Sequence, residues 1–419
     1  MTRTIRSAAA LCLALAVQLW AGLAAAQGLE TSARAAYVFD QTTRTVLLEK
    51  NADEPLPPAS MSKLMTLYMA FEAIAEGRLS VEDEFLVSAH AASFGGSSMF
   101  LREGERVRVE DLLRGVIVLS GNDASVVLAE GLSPDGTESG FARRMTEVAR
   151  ELGMTSSTFA NASGWPAAGH AMSVRDLGIL ADHLISDFPT FYPLFAEQEF
   201  AFDNRVPANS QNRNPILGLG IGADGLKTGH TQEAGYGLVG SAKQGDRRII
   251  FVITGLDTAE QRRAEGERIV NWAFRQFAEE DLGRAGTRIA EADVWMGADT
   301  EVGLALAEDL RVLMPVVPGA AYAAEATWTG PVTAPVAEGQ ELGQLTITRE
   351  GLPQIVVPLV ADRAVAQGGL GVRLRTAAQI LVARVAPGAD LSAIPGLDGE
   401  VAEPAPDEAA ETAPAEEDA

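Results

Sequence analysis

The chain has 419 residues, of which 47% are hydrophobic and 21% are charged, so it is long enough for two or three globular domains. Its formal net charge of −24 argues against a nucleic-acid partner, because phosphate binding requires a basic surface. The single cysteine, Cys12, precedes every predicted folded element, and the four histidines lack metal-ligand spacing. We therefore expect no metal, no cofactor and no thiol chemistry.

Residues 1–26 have the layout of a secretory signal peptide. Arg3 and Arg6 precede an apolar stretch that ends in the small residues Ala24 to Ala26. A retained membrane anchor is the alternative interpretation, but the apolar stretch is short for a bilayer span. We therefore expect this segment to be cleaved from a secreted protein, which would leave a mature chain without cysteine.

Residues 29–280 predict one α/β domain in which the strands of an antiparallel sheet flank a helical insertion. A β-hairpin is predicted over residues 35–50, and a helix follows directly after Pro58. Helical periodicity then dominates until a second hairpin, which turns at residues 244–246. A closing helix follows the second hairpin.

Ser60 and Lys63 lie one helical turn apart, directly after the prolines that open this helix. Both side chains then project from the same face, so the hydroxyl can meet the amine. Ser60 also lies near the helix N-terminus, where unpaired backbone N–H groups favour an oxyanion. An N-cap serine followed by a snorkelling surface lysine is the alternative, and it is the commoner explanation of an isolated S-x-x-K pattern.

Two later tripeptides extend this pattern. Ser-Gly-Asn at residues 120–122 follows Ser60 after about 60 residues, and Lys-Thr-Gly at residues 227–229 follows about 100 residues later, at the entry to the second hairpin. Each tripeptide alone is a weak signal, because S-G-N is common in turns and K-T-G is frequent at strand edges. In this order, the three motifs are typical of penicillin-binding proteins and serine β-lactamases.

Together the motifs supply the parts of a serine acyl-transfer site. A serine hydroxyl needs a base, and Lys63 can be that base if burial and the positive charge of Lys227 lower its pKa. Ser120 can relay a proton to the leaving group, and Asn122 can hold Lys63 and the substrate amide. Backbone N–H groups of the nucleophile and of the strand after Gly229 can form an oxyanion hole. We expect Gly229 to leave room for a peptide along the strand edge.

The segments around these motifs resemble the low-molecular-mass penicillin-binding proteins that are D-alanyl-D-alanine carboxypeptidases. The similar stretches include PASMSKLMT, GGSSMFLREGERVRVEDLLRGVIVLSGNDAS, DGLKTGHTQEAGYGLVGSA and RRAEGERIVNW. The resemblance covers nearly all of residues 29–370 and implies a domain of the β-lactamase/transpeptidase type at 29–280, followed by a small all-β sandwich at 283–368. It also implies a periplasmic serine hydrolase that removes the terminal D-alanine from peptidoglycan stem peptides and is acylated by β-lactams.

The same resemblance assigns roles to individual residues. Ser60 would be the acylated nucleophile and Lys63 its base, with Ser120 and Asn122 completing the catalytic group. The residues implied in substrate binding belong to the third motif or are arginines placed near the substrate carboxylate: Lys227, Thr228, Gly229, His230, Arg213 and Arg262.

Three of these assignments stay open in the sequence. The spacing from Arg213 to Lys227 is slightly short for the family pattern, and Arg263 competes with Arg262 for the same role. A packing role on the sheet edge is as good an interpretation of His230 as a functional one.

Three other interpretations share parts of this pattern. A serine β-lactamase would need a carboxylate to activate the deacylating water, and no E-x-x-L-N segment lies between Ser120 and Lys227. Glu151 is better explained as a solvated helix residue. An inactive scaffold would be expected to lack a motif member, whereas all are present. Endopeptidase action on peptidoglycan cross-links is the alternative that the motifs do not separate from carboxypeptidase action.

Beyond the β-domain, residues 370–386 predict an amphipathic helix and residues 387–419 an acidic, disordered tail. Apolar residues between Leu370 and Val385 share one face, and arginines lie largely elsewhere, which favours contact with the surface of the inner membrane. A helix packed on the β-domain is the alternative. Because the carboxylates of the tail oppose attraction to anionic lipid, we expect weak, salt-sensitive membrane binding.

Overall fold

The computed structural model describes residues 29–317, 320–372 and 374. The predicted signal peptide, the predicted acidic tail and most of the helix predicted at 370–386 lie outside these residues. The α-helices are α1 (Lys63–Ala75), α2 (Ala89–Ala92), α3 (Val109–Ile117), α4 (Asn122–Leu132), α5 (Glu138–Glu151), α6 (Val174–Asp187) and α7 (Ala259–Gln276), with 3₁₀ turns at Ala59–Ser62 and Tyr192–Ala196.

The strands of the first part of the chain are β1 (Ala35–Asp40), β2 (Thr45–Lys50), β3 (Glu84–Leu86), β4 (Arg106–Arg108), β5 (Ala223–Thr231), β6 (Gly235–Gln244) and β7 (Arg247–Leu256). Those of the C-terminal part are β8 (Phe277–Gly283), β9 (Arg288–Trp295), β10 (Glu301–Leu306), β11 (Leu310–Pro315), β12 (Tyr322–Trp328), β13 (Val332–Thr333), β14 (Glu341–Arg349) and β15 (Ile355–Ala361).

The described residues form two compact units. One comprises residues 29–282 together with the described residues of 310–324 and 347–355. The other comprises residues 283–309, 325–346 and the described residues from 356 onward. Among the described residues, no helix has the length and apolar character needed to cross a bilayer.

A five-stranded antiparallel sheet forms the centre of the first unit, with the strand order β2-β1-β7-β6-β5. The two predicted hairpins are β1–β2 and β6–β7, and the second turns at residues 244–246 as its Gly and Asp predict. The position of Lys227 differs from the prediction, because it lies within an additional edge strand, β5, that pairs with β6. The run DGLKTGHT lacks the apolar alternation that identifies a strand.

Both faces of this sheet are covered. Along β1, the side chains of Ala35, Tyr37 and Phe39 join the core under the helical layer, whereas Ala36 and Val38 join a second core on the opposite face. Successive side chains of a strand point to opposite faces, so a strand buried on both sides is apolar throughout rather than alternating. The second core contains Ile269, Val270 and Ala273 of α7.

The helical insertion is built around α1. Nearly every residue of this helix from Lys63 to Phe71 is buried, as expected for a helix that is apolar on all sides. It contacts α3, α4, α5 and α6. The start of α1 therefore lies deep in the protein, beside strand β5, which contacts the preceding 3₁₀ turn.

The C-terminal part is all-β, as the sequence predicts. Six strands form one sheet in the order β12-β14-β15-β10-β9-β13, and β8 pairs with β11. The turns of this region include two cis peptide bonds before Pro331 and Pro335.

Candidate active site

The turn at residues 58–62, called the nucleophile turn because the sequence predicts Ser60 as the nucleophile, is short and tightly bent. Pro58 leads into the 3₁₀ turn Ala59–Ser62, and α1 begins only at Lys63. Ala59 has a φ of +49°, in the left-handed region that is costly for a residue with a Cβ. Backbone strain of this kind clusters at functional sites, where the surrounding structure maintains it.

Lys63 is completely buried, and its amine contacts three oxygen atoms. Its Nζ lies 2.9 Å from Ser60 Oγ, 2.8 Å from Asn122 Oδ1 and 2.6 Å from the carbonyl oxygen of Ser163. Burial first, and the positive charge of Arg213 second, lower the pKa of Lys63 to about 7. A neutral amine can donate to Asn122 and Ser163 while its lone pair accepts the Ser60 proton. Lys63 therefore has the geometry and the pKa of a base for Ser60.

The carbonyl group of Ser163 was not predicted as part of the site. The side chain of Asn161 accepts hydrogen bonds from the backbone N–H groups of Ser163, Gly164 and Trp165, at 3.1, 2.8 and 3.1 Å, and so shapes this loop. Gly164 has a φ of +76°, and a Cβ there would lie 1.8 Å from the carbonyl oxygen of Ala59. Only glycine lets this loop approach the nucleophile turn so closely.

The second motif links the two lysines. Asn122 contacts Lys63, and Ser120 Oγ accepts a hydrogen bond of 2.8 Å from Lys227 Nζ. Lys227 is buried, and its Nζ lies 3.3 Å from the carbonyl oxygen of Thr228. Burial lowers the pKa of Lys227 well below its usual value, and the charges of Lys63 and of two arginines lower it further.

Asp123, directly after the second motif, is a further residue near the site, and the sequence motifs do not include it. Its buried carboxylate accepts from Ser98 Oγ at 2.6 Å and from the backbone N–H groups of Met99 and Leu101 at 2.9 and 3.1 Å. These bonds fix the loop before α3 next to Asn122. A buried charge must be paired or hydrogen-bonded, so a carboxylate beside an apolar helix run is a signal that could have identified it.

The third motif packs directly on the nucleophile turn. A Cβ at Gly229 would lie 3.0 Å from the carbonyl oxygen of Pro58 and 3.1 Å from the side chain of Met61. The sequence predicts that the space beside Gly229 holds substrate, whereas in the structure the nucleophile turn occupies it. His230 is exposed, lines the cleft next to Ser60 and stacks on Tyr236 at 3.9 Å between ring centroids.

Two arginines add positive charge near the lysines. Arg262 is buried, its guanidinium lies 5.5 Å from the ring centroid of Tyr236, and its Nε has no hydrogen-bond partner among the described residues. Arg263 is exposed, so of the two competing arginines only Arg262 faces the interior. Arg213 donates a hydrogen bond to Ser97 Oγ, and its charge acts on both lysines. This concentration of cations suits the binding of a carboxylate.

A buried histidine, His170, is hydrogen-bonded to the nucleophile turn. The Ala160 N–H donates to His170 Nδ1 at 3.1 Å, so the ring proton is on Nε2, which donates to Ser62 Oγ at 2.8 Å. Burial, assisted by the charge of Lys63, lowers the pKa of His170 to about 4. His170 is therefore neutral at pH 7 and positions the turn through Ser62. The sequence offered no ligand or dyad pattern that identifies it.

The site opens into a cleft of 540 Å³, lined by Ser60 and Asn122 and by residues 96–97, 163–166 and 230–233. A second groove, of 570 Å³ along residues 327–329 and 341–344, contains no predicted site residue. Within the described part of the chain, no group of His, Cys, Asp or Glu side chains is arranged to hold a metal ion.

The fold and the site define a serine acyl-transfer enzyme of the penicillin-binding type. The family model described as D-alanyl-D-alanine carboxypeptidase matches residues 22–258, and the model for the C-terminal domain of penicillin-binding protein 5 matches residues 277–367. The chain belongs to the D-alanyl-D-alanine carboxypeptidase family.

Curated relatives support this assignment. The chain is 36% identical to D-alanyl-D-alanine carboxypeptidase DacC of Escherichia coli, over 80% of this chain and 85% of the relative. It is 33% identical to D-alanyl-D-alanine carboxypeptidase DacF of Bacillus subtilis, over 80% of this chain and 87% of the relative.

Solved structures agree. Penicillin-binding protein 5 from Haemophilus influenzae superimposes with a TM-score of 0.71 at 31% identity, over 81% of this chain and 99% of that one. Penicillin-binding protein D2 from Listeria monocytogenes in its ampicillin-bound form superimposes with a TM-score of 0.53 at 33% identity, over 59% of this chain and 99% of that one.

Proposed function

We propose that the protein removes the terminal D-alanine from peptidoglycan stem peptides through an acyl-enzyme on Ser60. The observation that carries the assignment of the nucleophile is the buried amine of Lys63, which lies 2.9 Å from Ser60 Oγ and has a pKa of about 7. A serine hydroxyl is a weak nucleophile without a base at this distance.

In the acylation step, Lys63 takes the proton of Ser60 as Oγ attacks the carbonyl carbon of the penultimate D-alanine. The Oγ–C bond forms, the C–N bond to the terminal D-alanine breaks, and a proton passes through Ser120 to the leaving amine. In this mechanism the backbone N–H groups of Ser60 and His230 stabilise the oxyanion. A water molecule then hydrolyses the ester and releases the shortened peptide.

The terminal carboxylate of the substrate binds among the cations. The charges of Arg213 and Arg262 both act on Lys227, and the buried Nε of Arg262 has no hydrogen-bond partner among the described residues. The Thr228 hydroxyl lies next to Lys227 on the same strand. This anchor places the last peptide bond over Ser60 because Gly229 packs on the nucleophile turn.

The same site would be acylated by β-lactams, with slow release of the product. A serine β-lactamase needs a carboxylate that activates the deacylating water. Of the described residues that line the cleft, only Glu233 has a carboxylate, and no carboxylate is hydrogen-bonded to Ser60 or Lys63 in the described structure. Glu151, the other candidate, is exposed and paired with Arg144 at 2.9 Å.

We also propose that the enzyme is periplasmic and binds weakly to the inner-membrane surface. This part of the proposal rests on the sequence patterns of residues 1–26 and 370–386. A chain truncated after Val385 should bind anionic vesicles more tightly than the full mature chain, and one truncated after Ala366 should not bind. Equal, salt-independent behaviour in co-sedimentation would contradict membrane binding.

Mapping of the penicillin adduct tests the nucleophile. Labelled penicillin should modify Ser60 alone, and Ser60→Ala should abolish both labelling and the release of D-alanine from a pentapeptide that ends in D-Ala-D-Ala. Ser80→Ala, which changes an exposed serine outside the cleft, is the control and should behave as wild type. An adduct on another residue, or labelling of Ser60→Ala, would overturn the assignment. Cross-linked peptide dimers in the same assay measure endopeptidase action.

A further inference from the structure

One side of the cleft is formed by the end of β5 and the turn that follows it. The residues of this part of the chain that line the cleft are His230, Thr231, Gln232 and Glu233, which follow Gly229, whereas Lys227 and Thr228 precede it. Along this strand, the residues that line the cleft therefore lie on the other side of Gly229 from Lys227 and Thr228, whereas Ser97, which is bonded to Arg213, lines the cleft elsewhere. We expect the acyl portion of a bound peptide, upstream of the scissile bond, to follow the strand on this side of Gly229.

Glu233 is the sole carboxylate among the described residues that line this cleft. Its side chain is exposed and makes no hydrogen bond or ion pair with any described residue. By contrast, Arg248 on the same sheet is paired with Asp224 at 2.7 Å. Glu233 thus presents an uncompensated negative charge to whatever occupies the cleft.

Trp165 lies near Glu233 in the same cleft. Both residues line the cleft and also a small adjoining pocket of 40 Å³, so they lie close to one another. The indole is 47% exposed and meets Phe94 edge-on at 6.5 Å between ring centroids. A carboxylate beside an exposed tryptophan face is suited to bind an ammonium group, through charge and through cation–π attraction.

The distance from Gly229 to Glu233 is compatible with the length of a bound peptide. Glu233 is four residues beyond Gly229, at most roughly 13 Å along the chain, and it is closer because the strand turns after Thr231. In a substrate, the residue that precedes D-Ala-D-Ala has its Cα roughly 4 Å upstream of the acylating alanine. A flexible four-carbon side chain on that residue covers the remaining distance.

We propose that Glu233 and Trp165 bind the side-chain ammonium of the residue that precedes D-Ala-D-Ala, and so give the enzyme a preference for peptides in which this amine is free and charged. This inference rests on the proposed carboxypeptidase activity. It assigns the selectivity to two residues outside the three motifs.

The test uses two peptides that differ by one charge. Nα-acetyl-L-Lys-D-Ala-D-Ala has a free side-chain amine, and Nα,Nε-diacetyl-L-Lys-D-Ala-D-Ala does not. Wild-type enzyme should release D-alanine from the first with a kcat/KM about fivefold higher at low ionic strength, the size expected for an exposed ion pair with a cation–π contact. The preference should shrink as salt is added.

In Glu233→Gln the ratio of the two kcat/KM values should fall to about one, and in Trp165→Ala it should fall partway. Asp246→Asn, which removes the same charge from an exposed turn outside the cleft, should keep the wild-type ratio. Equal kcat/KM values for both peptides in wild type, or a preference that survives Glu233→Gln, would overturn the inference while leaving the carboxypeptidase activity established. Failure of wild type to release D-alanine from either peptide would overturn both.

Discussion

Acylation of Ser60 should follow the protonation state of Lys63. Only the neutral amine can take the Ser60 proton, and because burial lowers the pKa of Lys63 to about 7, half of the molecules are competent at pH 7. At pH 5, about 1% of the amine is neutral, so the acylation rate constant should be about a hundredfold below its plateau above pH 8. The measurement is the second-order rate constant for labelling by a fluorescent penicillin between pH 5 and 9.

Removal of the neighbouring charge of Arg213 should change the pKa of Lys63. That charge is the second cause of the low pKa of Lys63, so Arg213→Gln should move the acid limb of the profile to higher pH. Arg213→Lys keeps the charge and is the control, and its limb should stay near that of wild type. Both variants lose part of the group that binds the substrate carboxylate, which changes the maximal acylation rate constant. The comparison therefore uses the pH at which acylation is half-maximal and not the maximal rate constant.

The pH dependence of the free energy of unfolding provides a second measurement of the pKa of Lys63. Lys63 has a pKa of about 7 in the folded protein against 10.5 for the unperturbed group, so the unfolded state binds the extra proton between these values. The free energy of unfolding should therefore rise with pH in this window and be lowest, for this group, below pH 7. Relative to Lys63→Met, wild type should gain about 2 kcal/mol between pH 7 and 9. A flat acylation profile together with a flat stability difference would refute a buried, neutral base.

Three further predictions concern the surroundings of the nucleophile. Gly229→Ala should displace the Ser60 turn and lower acylation by about a hundredfold, as small misplacements of reacting groups do, in the labelling assay. Arg262→Ala should raise KM for the pentapeptide about tenfold or more, because it removes a buried charged donor, whereas Arg263→Ala should leave KM unchanged. His170→Gln should remove the loss of stability that wild type shows as pH falls from 6.5 to 4, since the unfolded state protonates this histidine first. Urea unfolding over this range measures it, and an unchanged pH dependence would contradict a buried neutral histidine.

The strands that could be predicted are those with a local signal. The hairpin β1–β2 follows from two β-prone runs around polar turn residues, and β6–β7 follows from a Gly-Asp turn between apolar runs. The strand β5 was missed because its residues were selected for the site rather than for a pattern of burial. Its pairing with β6 is local, across the turn at residues 232–234, so the signal that was lacking is the apolar alternation of a strand.

The site residues likewise differ in whether the sequence contains a local signal for them. Ser60, Lys63 and Lys227 could be found because their residue types and order carry the chemistry. The carbonyl of Ser163 could not, because a backbone group leaves no trace in residue type. The sequence contains a signal that favours Arg262 over Arg263. At helical spacing, Arg262 continues the buried face of α7 that is formed by Gly266, Ile269, Val270 and Ala273.

The pKa of Lys63 shows why the S-x-x-K pattern alone is a weak signal. Burial by α1 and its neighbours lowers this pKa, the charge of Arg213 lowers it further, and the charge of Asp123 raises it. These contributions come from the core, from the loop before β5 and from the residue after the second motif. A lysine three residues after a serine becomes a base only when burial and a nearby positive charge outweigh such a carboxylate, and on an exposed helix the lysine would stay protonated. The chemistry is therefore a property of the folded site, and the three motifs are informative because they mark the segments that must meet there.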